Sequence, residues 1–156
     1  MRGEQMGTWV AHTNMGGLPD DVLELLTRPE AIARWTPVPF EIVDFAGDRL
    51  EAGDEVRVCG FLAGRALAFD VTVAEAEDGR LALQASGPIR IDVEYVARAV
   101  ARGSELRARV AVSGQGLIGR MLARATDALL AAGALQSAVG RIAHELEPVL
   151  EPALAA

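Results

Sequence analysis

EVRVCGFLAGRALAFDVTV, residues 55–73, decides the architecture. Val56 and Val58 alternate with Arg57 and Cys59 up to a turn signal at Ala63-Gly64, and the alternation resumes beyond it. A period of two belongs to a half-buried strand, not to a helix. The turn pairs Val58 with Phe69 and Val56 with Val71 on one face. It sets Arg57 opposite Asp70 on the other, because paired residues of an antiparallel ladder share a side of the sheet.

Working outward, the same period predicts strands over 40–45, 54–62, 66–76, 81–86, 89–100 and 105–113. Only short turn signals separate them, which implies antiparallel hairpins. Glu77-Asp78-Gly79 is expected to pair Val73 with Leu83. Ser86-Gly87-Pro88 is expected to pair Leu83 with Ile91 and Leu81 with Val93. Arg102-Gly103 is expected to pair Ala97 with Ala108 and Tyr95 with Val110. This register gathers the apolar side chains on one face. It leaves Arg57, Asp70, Arg90, Asp92, Glu94, Arg98, Arg107 and Arg109 on the other, so one face is dry and one wet.

Before these strands, TWVAHTNM (8–15) reads as a further strand. Pro19, Asp20 and Asp21 open a helix, where negative charge suits the dipole. Thr27 and Glu30 have capping-box spacing ahead of a second short helix, and Pro37 and Pro39 forbid its extension. After the strands, residues 117–147 read as one helix of about 45 Å, with Pro148 at its end. Leu122, Ala125, Leu129, Ala132, Gln136, Val139 and Ala143 recur on one side of it. The fold class is therefore α+β: a curved antiparallel sheet, in β-α-α-β6-α order, wrapped around a long C-terminal helix.

Bulk properties exclude several classes. The 156 residues suit one domain. Hydrophobic residues make up 51% and charged residues 24%, as in a globular chain. The net charge of -7 argues against a phosphate-backbone partner, so no nucleic acid is expected. Cys59 is the single cysteine, so no internal disulfide forms. The N-terminus lacks the apolar core of a signal peptide. ALLAAGAL (128–135) is far short of the roughly 20 residues that span a bilayer. A cytoplasmic location is expected, with no membrane span; the sequence leaves the oligomeric state open.

The element order resembles that of the START-like, or SRPBCC, superfamily of helix-grip proteins, over roughly residues 8–147. LPDDVLELLTRPEAIARW (18–35) resembles the two-helix signature of the polyketide cyclase/dehydrase-like branch. EAGDEVRVCGFLAGRALAFDVTVAEAEDGRLAL (51–83) resembles its central hairpins, and GLIGRMLARATDALL (116–130) the start of its last helix. The superfamily spans enzymes, carriers and co-chaperones, so the resemblance speaks to fold before activity. It implies a cavity between sheet and helix that holds a hydrophobic molecule such as a lipid, isoprenoid or polyketide. A carrier or binding protein is the favoured reading. A cyclase/aromatase-like enzyme and a co-chaperone-type interaction module are the alternatives.

The expected cavity wall is Trp35, Val58, Phe69, Val71, Leu83, Ile91, Val93, Tyr95 and Val110, with Met121, Ala125 and Leu129 from the helix. Tyr95 is the one polar side chain on the dry face of the central strands. It is either a hydrogen-bond donor to a ligand, and then the candidate catalytic group, or a core tyrosine with a backbone partner. Trp35 packs under the sheet rim or stacks on a ligand. His12 shares a strand face with Val10 and Asn14, and the sequence does not say whether that face is internal. His144 suits the dipole at a helix C-terminus. No metal-ligand spacing occurs and no cofactor is expected. Cys59, on the wet face, has no base partner, and Asp20 and Asp21 are capping residues. Gln136 can reach inward; Asp127 is placed in solvent. SGQGLIG (113–119) contains G-x-G-x-x-G, but no strand follows the helix that it opens, as a dinucleotide fold requires. Its glycines either form a tight strand-to-helix corner or offer backbone N–H groups to an anionic head group.

Overall fold

In a computed structural model, which describes residues 5–36, 40–45, 47–62 and 64–146, seven strands form one antiparallel sheet. They are β1 (Gln5–Met15), β2 (Phe40–Asp44), β3 (Glu55–Leu62), β4 (Arg65–Glu77), β5 (Arg80–Ser86), β6 (Arg90–Val100) and β7 (Gly103–Ser113). Their order in the sheet is β1-β7-β6-β5-β4-β3-β2, so the first strand pairs with the last and six consecutive strands form a meander. Helices α1 (Pro19–Thr27) and α2 (Pro29–Trp35) join β1 to β2; α3 (Gly116–Ala131) and α4 (Ala134–Glu145) follow β7. Pro37, Pro39, Ala63, Glu147 and Pro148, which carry expectations in the sequence, lie outside the described residues.

The expected pairs Val58–Phe69, Val56–Val71, Arg57–Asp70 and Val73–Leu83 all form. Two hairpins differ. Leu83 pairs with Val93 and Leu81 with Tyr95, because Gly87-Pro88-Ile89 forms the loop and Ser86 stays in the ladder. Tyr95 pairs with Ala108 and Ala97 with Leu106, because the turn is Ala101-Arg102. Each slip moves the partner by two residues. A slip of two preserves the faces, whereas a slip of one would invert them. The outer face therefore carries the expected charges, among them the Arg57–Asp70 ion pair at 3.0 Å.

The short helices also depart from expectation. Thr27 does not cap α2: it is the last, buried residue of α1, and its hydroxyl donates to the Leu23 carbonyl at 2.8 Å. Arg28 separates the two helices. At the start of α1 the Leu18 N–H donates to the Asp21 carboxylate at 2.9 Å. Helix α1 lies against β4, β5, β6 and β7, and its Val22 and Leu26 are wholly buried. Leu81 and Leu106 on the sheet are buried equally completely, so the interior is close-packed there.

The long C-terminal helix is two helices. Gly133 adopts φ 98°, a left-handed conformation that terminates α3 and lets α4 restart one residue later. Ala132 and Gln136 are consequently exposed, and Ala134, Leu135 and Ala138 face inward instead. Helix α4 lies along β1, while α3 contacts β7, β1 and β3. The covering layer is thus asymmetric: close over one edge of the sheet and lifted from its curved middle.

The glycine-rich corner joins β7 to α3. A Cβ on Gly114 would stand 2.4 Å from the Gly119 carbonyl oxygen, so the backbone passes where no side chain fits. Gly140, inside α4, has open space around its Cα. Gly114→Ala is expected to lower stability by about 1–3 kcal/mol through overpacking. Gly140→Ala is expected to raise it by about 1 kcal/mol through helix propensity. Urea unfolding midpoints of the two variants check both signs.

Candidate functional site

Between the lifted helices and the concave face lies a cavity of about 260 Å³. Strands β3, β4, β6 and β7 supply Gly60, Phe61, Phe69, Ile91, Val93, Tyr95 and Val110. Trp35 and Thr36 close one side, and α3 and α4 supply Thr126, Leu129, Leu130, Ala134, Leu135 and Ala138. The wall is almost wholly apolar, and half-exposed Phe61 stands at its edge.

Seven of the expected positions meet there: Trp35, Phe69, Ile91, Val93, Tyr95, Val110 and Leu129. Five do not line it. Val58, Val71 and Leu83 pack against the buried core beside the cavity. Ala125 is half-buried, and its neighbour Thr126 takes the inward position. Met121 is 62% exposed, beside exposed Leu117 and Ile118, because the inward side of α3 runs through Gly119, Leu122, Ala123 and Thr126. Of the eight wall positions missed from sequence, three, Ala134, Leu135 and Ala138, belong to α4. The signal for these three was Gly133, since a glycine can end one helix in a left-handed conformation before another begins.

The polar groups near the cavity have different commitments. The Trp35 Nε1–H donates to the Leu25 carbonyl at 2.8 Å, which anchors the indole at the end of α2. The Thr126 hydroxyl donates to the Leu122 carbonyl at 3.0 Å within its own helix. Tyr95 is only 5% exposed. Its ring meets Trp35 edge to face, with centroids 5.6 Å apart and planes at 72°, a favourable aromatic geometry. Among the described residues no hydrogen bond engages the Tyr95 hydroxyl, yet no side-chain oxygen is sealed in without a partner. The phenol oxygen is therefore not sealed off, on a residue that lines the cavity. Burial alone pushes its ionisation well above the usual tyrosine range, so it is a standing proton donor and not a base at neutral pH.

Three other candidates lie elsewhere. His12 is exposed on the outer face, paired with Arg107 across the ladder, while Ala11 and Met15 point inward. Gln136 donates from the surface to the His12 carbonyl at 3.2 Å and ties α4 to β1. Asp127 is not simply solvated: it accepts a hydrogen bond of 2.6 Å from the Trp9 indole, a partly buried link between α3 and β1. Among the described residues the cavity wall holds no carboxylate and no imidazole.

Comparison with known proteins agrees with the architecture. No family model matches the chain, and no curated protein matches it. Among solved structures, protein CV1439 from Chromobacterium violaceum superposes with a TM-score of 0.68 at 16% identity, over 90% of this chain and 97% of that one. Ara h 8.0201 superposes at 0.56 with 13% identity, over 87% and 97%. DynU16, from the dynemicin biosynthetic locus, superposes at 0.55 with 25% identity, over 89% of this chain and 46% of that one. The chain has the helix-grip fold. No helix among the described residues is long and apolar enough to cross a membrane.

Two outcomes follow from these contacts. The native state holds the Tyr95 proton more tightly than the unfolded chain does. That contribution to stability is full below about pH 10, the unfolded tyrosine value, and is lost as pH rises above it. Tyr95 is the single tyrosine, so phenolate absorbance reports it alone. The native protein is expected to show no phenolate at a pH where the urea-unfolded chain is half ionised. Asp127→Ala is expected to cost about 1–3 kcal/mol by leaving the Trp9 indole N–H without its charged acceptor, read as a lowered urea midpoint.

Proposed function

We propose that this protein binds one small hydrophobic molecule in the cavity between sheet and helices, as a carrier or binding protein. The observation that carries the reading is the cavity itself: an apolar space of about 260 Å³ beside an otherwise close-packed core. Each 100 Å² of apolar guest surface removed from water contributes about 2.5 kcal/mol. A single hydrogen bond contributes about 1 kcal/mol. Affinity would thus come from burial, with Tyr95 setting orientation. The ligand-contacting residues would be Trp35, Phe69, Val93, Tyr95, Leu130 and Ala138.

The size of the space bears on the guest. An engineered cavity of about 150 Å³ accommodates benzene. By proportion, this one suits roughly ten non-hydrogen atoms, closer to a compact cyclic molecule than to a long acyl chain.

A cyclase- or aromatase-like activity is the second reading, favoured by the similarity to a protein of the dynemicin biosynthetic locus. Ring closure or dehydration needs proton transfer near a carbonyl, and Tyr95, as a donor, would be the group to supply it. Turnover of a poly-β-keto substrate that survives Tyr95→Phe unchanged would remove that role.

Toluene, titrated into isotope-labelled protein by NMR, tests the binding reading. Saturable shifts are expected around Phe69, Val93 and Ala138. Ala138→Phe, which places a ring in the space, is expected to weaken binding at least about tenfold while the protein stays folded. Absence of any saturable toluene response in the wild type would overturn the reading.

A further inference from the structure

We propose that the cavity selects an uncharged guest carrying a hydrogen-bond acceptor, a ketone, quinone, ester or ether, and rejects ionised carboxylates. The inference rests on the binding reading above and adds the chemical class of the guest. Its basis is the state of the polar atoms on the buried side chains of the wall, Trp35, Tyr95 and Thr126; Thr36, which also lines the cavity, is half-buried. The Trp35 indole N–H and the Thr126 hydroxyl proton are already given to backbone carbonyls. The Tyr95 hydroxyl, on a side chain 5% exposed, has a proton to give and no protein acceptor among the described residues. A guest acceptor placed against that phenol would be satisfied without displacing any hydrogen bond of the protein.

A carboxylate is a different case. An ion transferred into an apolar space loses far more hydration than one neutral donor restores. Among the described residues no arginine or histidine contributes to the wall. Arg141, exposed, donates to the Thr36 carbonyl at 3.3 Å at the rim and is not part of the cavity lining. The chain as a whole carries a net charge of -7, so its long-range field also opposes an anionic guest.

The test compares three ligands of one shape by NMR titration: para-ethyltoluene, para-methylacetophenone and para-methylbenzoate at neutral pH. The wild type is expected to bind the ketone at least about tenfold more tightly than the carboxylate. The preference for ketone over hydrocarbon is expected to drop about three- to tenfold in Tyr95→Phe, the size of one neutral hydrogen bond. Carboxylate binding equal to ketone binding in the wild type, or a ketone-to-hydrocarbon ratio unmoved by Tyr95→Phe, would overturn the proposal. The first comparison needs no variant. If the hydrocarbon and toluene bind but the series is flat, only the selectivity fails; if neither binds, the binding reading itself fails.

Discussion

A seven-stranded sheet with one apolar face must be covered, and the helices available cannot cover all of it closely. That mismatch governs the molecule. Helix α1 fills one end, where Val22 and Leu26 join Leu81 and Leu106 out of contact with water. Helices α3 and α4 settle over β7 and β1. Curvature carries the middle strands away from them, and α4 reaches into the gap only with Leu135 between the small side chains of Ala134 and Ala138. The left-handed residue at Gly133 makes this possible, since the restart it allows turns the small side chains of α4 inward.

Most of the polar chemistry around this interior is used for construction. Trp9 and Asp127 link β1 to α3, Trp35 is tied to the end of α1, and Thr27 and Thr126 bond back within their own helices. Outside, ion pairs such as Arg57–Asp70 and Arg98–Glu105 decorate the wet face; exposed pairs of this kind contribute about 0–1 kcal/mol each. Among the buried side chains of the wall, the Tyr95 hydroxyl is the polar group with no hydrogen bond to the described residues. A phenylalanine there would pack as well against Trp35, so packing does not explain the hydroxyl.

Much of this was legible in the sequence because strand alternation is a strong signal. Val56, Val58, Phe69 and Val71 could be assigned to one face before any coordinates, and the faces survived two hairpins whose loops were misplaced. Those slips arose where glycine stands near more than one possible turn. Ser86-Gly87-Pro88 and Gly87-Pro88-Ile89 are equally plausible loops by composition, and only the second keeps Ser86 paired. The helices were less legible. Small residues recur so densely between Ala123 and Ala134 that several faces fit the period. Choosing the one through Ala125 and Ala132 placed Gln136 inward and missed Ala138. His12 was undecidable because β1 alternates modest side chains on both sides; its face follows from pairing with β7, a contact nearly a hundred residues away in sequence. The cavity's size was likewise beyond the sequence, since the same alanines permit either close approach or empty space.

The central claim is that the space under α3 and α4 is real, apolar and able to take a guest. Diffraction from a crystal pressurised with xenon tests it most directly, because xenon occupies dry apolar cavities without needing any specific partner. A xenon atom bordered by Phe69, Val93, Tyr95, Leu130 and Ala138 is the expected result. A pressurised crystal with no xenon there, its side chains closed over the space, would contradict the account.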